Sequence, residues 1–326
     1  MSIFGDVYTF LQNQEKSLQS VNFSLKNTPL DSKQVYSIGK NISQLENILE
    51  LELDFETSSS INSKRLIILL EEIQYCQNLK HLHLNLCNTY IDDEGLEYIR
   101  YKMIPFYYLE SFQMNIGINQ ISDVAALYIS QGLQQLKNLK KIKLNISDTQ
   151  IRRQGISLIC QSLTWLKLHT IDLNFKSLNV NSNAMLSLFE ALNCFFFLQQ
   201  LSINLDNNIV VDDDLIILFQ VLSQLPLTKI VNLSAIQNKL EGEFLIQLPD
   251  LLSSSKITIF SIDLRKNRIQ RDQVPVFLKK LTKTKSKIYK FLIDLRLNFE
   301  GNFQQNLIRN QICKNMIRCL EYTLIV

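Results

Sequence analysis

Histidines and cysteines are the side chains with the widest chemical range in this sequence of 326 residues. His81 and His83 stand two apart, which places both imidazoles on one side of a β-strand, where they could begin a zinc site. No third ligand follows at a matching spacing, so no metal is predicted. His169 lies at a strand start, and no serine and carboxylate partners complete a catalytic triad with it.

The six cysteines have neither the paired spacing of a metal site nor the density of a disulfide-stapled secreted domain. They are predicted to be reduced and mostly buried thiols. They are Cys76, Cys87, Cys160, Cys194, Cys313 and Cys319. The sequence also lacks a phosphate-binding glycine loop, a dinucleotide fingerprint, a nucleophile elbow and a Cys-x-x-Cys pair. It therefore predicts no enzyme activity, no cofactor and no small-molecule substrate.

A repeat of about thirty residues organises the chain. Its clearest sign is an apolar residue at equivalent strand positions, with intervals of 29 to 31 residues. The series is Val21, Leu51, Leu82, Phe112, Ile142, Ile171, Leu201, Val231, Phe260 and Phe291. A period held this evenly predicts a solenoid, which grows by stacking one unit on the next.

The segment from Leu79 to Met103 shows how one repeat is built. Leu82, Leu84 and Leu86 alternate with polar residues, which is typical of a strand with one buried face. Three acids at 92–94 follow, and apolar residues then recur at helical spacing. Each repeat is therefore predicted to contain one strand and one helix.

A short run of the form LxLxxNxI is formed by Ile262, Leu264, Asn267 and Ile269, and it is typical of a known repeat family. The sequence resembles the leucine-rich repeat family over nearly its whole length, and within it the ribonuclease-inhibitor-like branch with long repeats. That resemblance implies an α/β solenoid shaped as a horseshoe, with about ten strand-helix repeats, a parallel concave sheet and convex helices. It also implies protein partners on the concave face.

The ends of the array are predicted to be capped, because a solenoid must cover its terminal core. We expect an N-terminal cap at 1–20 with Phe4 in a helix, the repeat array at 21–302, and a C-terminal capping helix and tail at 303–326. The repeats form one elongated domain in this prediction.

A polar residue recurs where each strand turns toward its helix. A short Asn or Thr there can satisfy backbone groups that have no ladder partner, so these positions are interpreted as structural. Leu178 is expected to interrupt the series locally. The positions are Ser58, Thr89, Asn119, Thr149, Leu178, Asn208, Asn238, Asn267 and Asn298.

A second polar row consists of outward-facing strand residues. Two interpretations stay open: the amides bond to one another about 4.8 Å apart along the sheet, or they form a stripe that binds a partner. The adjacent outward row, from Glu52 to Ser261, is polar and lacks the aromatic anchors of strong interfaces. The asparagines of the stripe are Asn85, Asn115, Asn145, Asn174 and Asn204.

Aromatic residues cluster instead before two strands, at 106–108 and 195–197. Each cluster directly precedes a core strand. We therefore expect these rings to pack under the loops, with partial exposure as a lateral contact site as the alternative.

Charge is distributed unevenly along the chain, although the formal net charge is only +3. Residues 256–296 hold twelve Lys and Arg against three acids, whereas 46–110 holds twelve acids against five Lys and Arg. The basic stretch is either a solvated helix end or a patch that docks an acidic protein surface. The candidate docking residues are Lys279, Lys280, Lys283, Lys285 and Lys287.

These features together favour a non-enzymatic scaffold or adaptor that binds other proteins, as a structural subunit of a larger cytoplasmic, cytoskeletal or ciliary assembly. The alternatives are a regulator of a small GTPase, similar to a GTPase-activating protein, and a substrate adaptor of a ubiquitin ligase. No targeting segment is visible, and no apolar run nears the roughly 20 residues of a membrane span. The small net charge does not favour nucleic acid as a partner.

Overall fold

A computed structural model describes residues 2–4, 17–281, 283, 287–298 and 321–325, with the backbone alone at 2–4 and 321–325. The chain forms two compact units, Met1–Leu168 and His169–Val326. Both units repeat the same construction of strand, turn and helix.

Parallel strands run in sequence order through the first unit, each paired with the next. They are β1 (Ser2–Phe4), β2 (Ser20–Ser24), β3 (Glu50–Asp54), β4 (His81–Asn85), β5 (Ser111–Asn115) and β6 (Lys141–Asn145). The helices are α1 (Ser32–Ser43), α2 (Ser63–Ile73), α3 (Asp93–Glu97), α4 (Ile99–Lys102), α5 (Asp123–Leu133) and α6 (Arg153–Leu163). The register advances by one repeat per strand, so Leu51 lies beside Leu82.

Strands of the second unit are also parallel neighbours in chain order. They are β7 (Thr170–Asn174), β8 (Gln200–Asn204), β9 (Ile230–Ser234), β10 (Ile259–Asp263), β11 (Lys290–Asp294) and β12 (Glu321–Ile325). The helices are α7 (Ser182–Leu192), α8 (Asp212–Gln224), α9 (Glu243–Ser254) and α10 (Gln273–Leu281).

Strand and helix alternate from β2 to β10, so each unit is an α/β solenoid of strand-helix repeats with a parallel sheet, as predicted. One repeat differs from the expected single helix, because α3 and α4 are separated at Tyr98. The backbone keeps helical angles there, with φ −68° and ψ −24°, so the second piece continues from the first without a turn.

From β2 to β11, one side of each strand is buried beneath the helices, while the alternate side chains lie on the opposite, open face of the sheet. Apolar residues at the inward strand positions are buried, with exposed fractions of 4% or less. They are Leu82, Leu84, Leu144, Leu173, Ile203 and Leu264. The period-2 pattern thus predicted the buried face of the strands correctly.

The loop asparagines have the structural role expected of them. Asn208 accepts hydrogen bonds at Oδ1 from the backbone N–H groups of Leu178 (3.1 Å) and Val180 (2.9 Å), and donates from Nδ2 to the carbonyls of Phe175 and Leu205 (both 2.9 Å). Its side chain therefore joins two successive turns. Leu178, expected to interrupt the series, is fully buried, and the amide of Asn208 supports its backbone.

Each of these turns also contains a residue in the left-handed conformation, directly before the loop position, which the sequence did not predict. The φ angle is 57° at Ile118 and 53° at Asn207. A β-branched residue rarely adopts this conformation, so surrounding contacts must hold the turn at Ile118. Asn119 supplies such contacts, since its Nδ2 donates to the carbonyls of Leu86 (2.8 Å) and Ile116 (3.0 Å).

Several helix N-termini are capped by an aspartate of the preceding repeat. The cap residue of α6, Arg152, makes no capping bond with its own side chain. Instead Asp123 Oδ1 accepts from the backbone N–H groups of Arg152 (2.7 Å) and Gly155 (3.0 Å). A Cβ at position 155 would lie 2.5 Å from that oxygen, which explains the glycine. A carboxylate at this place satisfies free N–H groups and faces the positive end of the helix.

Capping by an aspartate of the preceding repeat also occurs in the second unit. The cap residue of α9 is Gly242, which has no side chain to make a capping bond. Asp212 Oδ1 accepts from the backbone N–H groups of Gly242 (2.9 Å) and Phe244 (3.2 Å), and Asp212 Oδ2 accepts from that of Glu241 (2.7 Å). Adjacent repeats are thus tied together through polar bonds as well as through the apolar core.

Asp214 in α8 makes the free energy of unfolding depend on pH. Burial raises the pKa of its carboxyl group, although the backbone N–H of Val211 donates to Oδ2 at 3.0 Å. The folded state therefore binds the proton more tightly than the unfolded chain, and stability falls as the pH rises through the folded pKa. We expect Asp214→Asn to raise the free energy of unfolding at neutral pH.

This gain should shrink toward zero below about pH 4, where aspartates are protonated in the unfolded chain too. Urea denaturation followed by circular dichroism at both pH values measures it. The exposed Asp213→Asn is the matched control and should show no such pH dependence. A loss of stability at neutral pH in Asp214→Asn would contradict this assignment.

The terminal caps fall mostly outside the described residues. At Phe4, where a helix was expected, the backbone belongs to β1, whose parallel pairing with β2 satisfies backbone groups that a helix would satisfy internally. Residues 303–320 of the predicted C-terminal cap lie outside the description, and the tail at Glu321–Ile325 forms β12 beside β11. The division into 1–20, 21–302 and 303–326 stays a prediction.

Candidate functional site

A shallow groove of about 420 Å³ lies on the open face of the sheet in the first unit. It crosses β2 to β6 near the starts of the strands, where the first and third residues of each strand point outward. The apolar residue between them, such as Leu51 or Leu82, forms the floor. The rest of the lining is polar and charged, and its character changes from strand to strand.

Carboxylates define the side of the groove at β3. Glu52 Oε1 lies 3.0 Å from His83 Nδ1 on β4, and Glu52 Oε2 accepts a hydrogen bond from Asn22 Nδ2 on β2 at 2.6 Å. Both neighbouring strands therefore hold this side chain in place. The imidazole can supply one N–H to this carboxylate, whose second oxygen is bound by Asn22.

Glu50 repeats this arrangement one step closer to the start of β3. Ser20 Oγ donates to Glu50 Oε2 at 3.0 Å, and His81 Nε2 lies 3.9 Å from Glu50 Oε1. About half of the Glu50 side chain stays exposed. Two fixed carboxylates thus face solvent together, and each is in contact with an imidazole.

Lysines define the opposite side of the groove. Lys140 Nζ lies 2.7 Å from Glu110 Oε2, and the hydrogen bond from this ammonium lowers the pKa of Glu110. That pair is neutral overall. Lys141, the first residue of β6, is exposed, and its ammonium makes no ion pair with any residue that the structure describes. The groove therefore ends in an uncompensated positive charge.

The structure gives no support for a metal at His81 and His83. Among residues 17–281, 283 and 287–298, no three side chains of His, Cys, Asp or Glu are grouped as a metal site would require. The two imidazoles instead have glutamate partners. His169 lies beside the Phe197 ring, with 6.4 Å between the ring centroids.

The cysteines that the structure describes are free thiols. Cys76, Cys87 and Cys160 are buried and Cys194 is exposed, while Cys313 and Cys319 lie outside the description. Burial raises the pKa of Cys76 and Cys160 to about 12, so both stay protonated at neutral pH. The predicted burial is confirmed for Cys76, Cys87 and Cys160, and Cys194 is the exposed exception.

The asparagine stripe lies at the strand ends but does not form the expected chain of amide bonds. The Oδ1 atoms of Asn115 and Asn145 accept from backbone N–H groups two residues ahead in the chain, at 3.2 and 3.0 Å. Asn174 and Asn204 do the same in the second unit, at 3.1 and 2.8 Å. Each amide therefore closes its own strand-to-loop turn.

Within the described ranges, the bond along the stripe is made by Asn85, whose Nδ2 donates to Asp54 Oδ1 at 2.9 Å. The prediction of amide-to-amide bonding was wrong, because it considered only the 4.8 Å strand spacing and overlooked the nearer backbone donor. Whether the stripe binds a partner stays a prediction.

The aromatic clusters also differ from expectation. Phe106 and Phe195 are buried, but Tyr107, Tyr108 and the two phenylalanines at 196–197 are exposed by 47 to 64%. The predicted packing under the loop is thus confirmed for one ring of each cluster and wrong for the other two. The cluster spans successive residues of a turn, whose side chains cannot all point toward the core.

The candidate docking lysines of the second unit are partly occupied by intramolecular contacts. Lys280 Nζ lies 2.7 Å from Asp250 Oδ2 and donates to the carbonyl of Ile246 at 2.9 Å. Lys279 also has a partner, Lys283 and Lys287 are exposed, and Lys285 lies outside the described residues.

The outward polar row that begins at Glu52 was predicted from the sequence, and the row one step closer to the strand starts was not. Glu50, His81 and Lys141 occupy that earlier row and complete the groove. The alternation that identified the core strands also places these residues on the open face. Extending it by one step toward each strand start would have found them.

No family model matches the chain, and no curated protein matches it in sequence. Among solved structures, an internalin (inlF) from Listeria monocytogenes str. 4b F2365 is similar at 13% identity, with a TM-score of 0.41. The match covers 97% of this chain and 92% of that one. No helix in the described part of the chain has the length and apolar character to span a membrane.

Proposed function

We propose that this protein is a non-enzymatic scaffold or adaptor that binds other proteins through the open sheet face of its first unit. The groove across β2 to β6 is the observation that carries the proposal. Its carboxylates are fixed by neighbouring strands, and Lys141 offers a positive charge that no described residue neutralises. Side chains held in place before binding lose little conformational entropy on contact, which favours recognition.

The proposal extends to the kind of assembly to which the protein belongs. A structural subunit of a larger cytoplasmic assembly, cytoskeletal or ciliary, agrees with a chain in which the repeat array occupies nearly all residues. The ribonuclease-inhibitor-like branch agrees with helices of 11 to 13 residues in most repeats. An acidic partner surface at Lys283 and Lys287 remains a second contact of the same kind, since both lysines are exposed.

Affinity purification from cells that express the protein, followed by mass spectrometry, tests the function. We expect a small set of proteins to copurify in fixed ratio and to dissociate as salt is raised, because charge contributes to the contact. Lys141→Glu should reduce the yield at least tenfold. The matched control is Lys239→Glu, which reverses an exposed lysine of the second unit and should leave the yield unchanged.

Two further variants separate the candidate surfaces. One changes Lys279, Lys280, Lys283, Lys285 and Lys287 to Glu, and the other changes Asn115, Asn145 and Asn174 to Ser. A loss with the lysine variant alone would move the main contact to the second unit. If no protein copurifies above the level of a mock purification, the scaffold function is rejected.

A further inference from the structure

We infer that the groove of the first unit binds an extended peptide segment of its partner, with a basic and an acidic side chain four residues apart. This inference rests on the proposed function and specifies the partner at the same site. Its basis is the order of charges across the sheet: carboxylates on β3, imidazoles on β4, neutral side chains on β5 and an unpaired lysine on β6.

The acidic side of the groove suits a lysine or arginine. Glu50 and Glu52 are both outward on β3, two residues apart, and hydrogen bonds from β2 hold both carboxylates. An arginine can bind such oxygens with two parallel N–H groups, and fixed acceptors favour that geometry. Repulsion between the two carboxylates falls when a cation lies between them, so this side of the groove favours a basic ligand.

The basic side of the groove suits a carboxylate. Lys141 has no charged partner among the described residues, and its neighbour Lys140 is already neutralised by Glu110. A carboxylate placed here gains a partner without breaking an existing ion pair. A cation at this end would be repelled by the ammonium groups of Lys140 and Lys141.

The distance between the two sides sets the spacing of the ligand. From β3 to β6 there are three strand intervals, or about 14 Å at about 4.8 Å each. An extended peptide advances about 3.3 Å per residue and alternates its side chains, so residues four apart lie on one side and about 13 Å apart. A pair with this spacing reaches both charged sides, and the residue midway between them lies about 7 Å from β3, between β4 and β5.

Selection of random twelve-residue peptides displayed on phage, with the purified full-length chain as bait, tests the inference. We expect enriched peptides to contain a basic and an acidic residue four positions apart, in one preferred order. Their synthetic versions should bind Lys141→Glu at least tenfold more weakly in fluorescence polarisation, while Lys239→Glu binds as the unchanged protein does. Thermal melting of each variant confirms that it is folded.

A triple variant, Glu50→Lys, Glu52→Lys and Lys141→Glu, reverses the order of charges in the groove. It should select peptides with the opposite order of basic and acidic residues. The inference is overturned if no peptide is enriched, if enriched peptides lack the pair, or if they bind Lys141→Glu unchanged. A copurified partner that is lost in Lys141→Glu would then preserve the scaffold function while this peptide pattern fails.

Discussion

Leu144→Ala is expected to lower the free energy of unfolding by about 2 to 5 kcal/mol. Leu144 lies on β6 with 1% of its surface exposed, beside Met114 of β5. Truncation removes buried methyl groups and leaves a cavity between sheet and helices, which the surrounding repeats can close only in part. Urea denaturation of the full chain, followed by far-UV circular dichroism, measures the loss.

The control for this substitution is Lys141→Ala on the same strand. Its side chain is exposed, so the free energy of unfolding should change by less than about 0.5 kcal/mol. Equal losses in the two variants would contradict the assignment of inward and outward faces on β6.

Asn208→Leu is expected to cost about 3 kcal/mol, although leucine stands at the equivalent position 178 of the repeat before. The substitution removes the acceptor for the N–H groups of Leu178 and Val180 and the donor to two carbonyls. Those backbone groups are buried, and each loses a hydrogen bond that water cannot easily replace.

Asn193→Ala is the matched control, because Asn193 is exposed at the end of α7 and its side chain makes no hydrogen bond to a described residue. It should unfold at nearly the same urea concentration as the unchanged protein. If Asn208→Leu did so too, the side chain of Asn208 would not be what holds the two turns together.

Repeat spacing and alternation predicted the strands, their buried face and the role of the loop asparagines. These features depend on residue type and period alone, since a stacked array repeats one local solution. The caps at Arg152 and Gly242 could not be predicted in this way. Neither residue caps a helix well by itself, and the aspartate that does so lies in the preceding repeat.

The groove was predictable in part. Its side chains lie on strands, so their outward direction follows from alternation, but the pairing of Glu50 with Ser20 and of Glu52 with His83 depends on register across strands. The unpaired state of Lys141 depends on what surrounds it in three dimensions. A single sequence therefore indicates a polar face and leaves its charge order to the structure.

The capping aspartates favour an order in which the repeats fold during synthesis on the ribosome. Asp93 and Asp123 each lie in the repeat before the helix that they cap. As translation proceeds, the cap of a helix has therefore already emerged when that helix is made. Asn119 and Asn208 act in the opposite sense, since each supports the turn of the repeat made before it. The helices that begin after Ser122, Arg152 and Gly242 thus receive a cap from a repeat already made, an order that favours stepwise folding during translation.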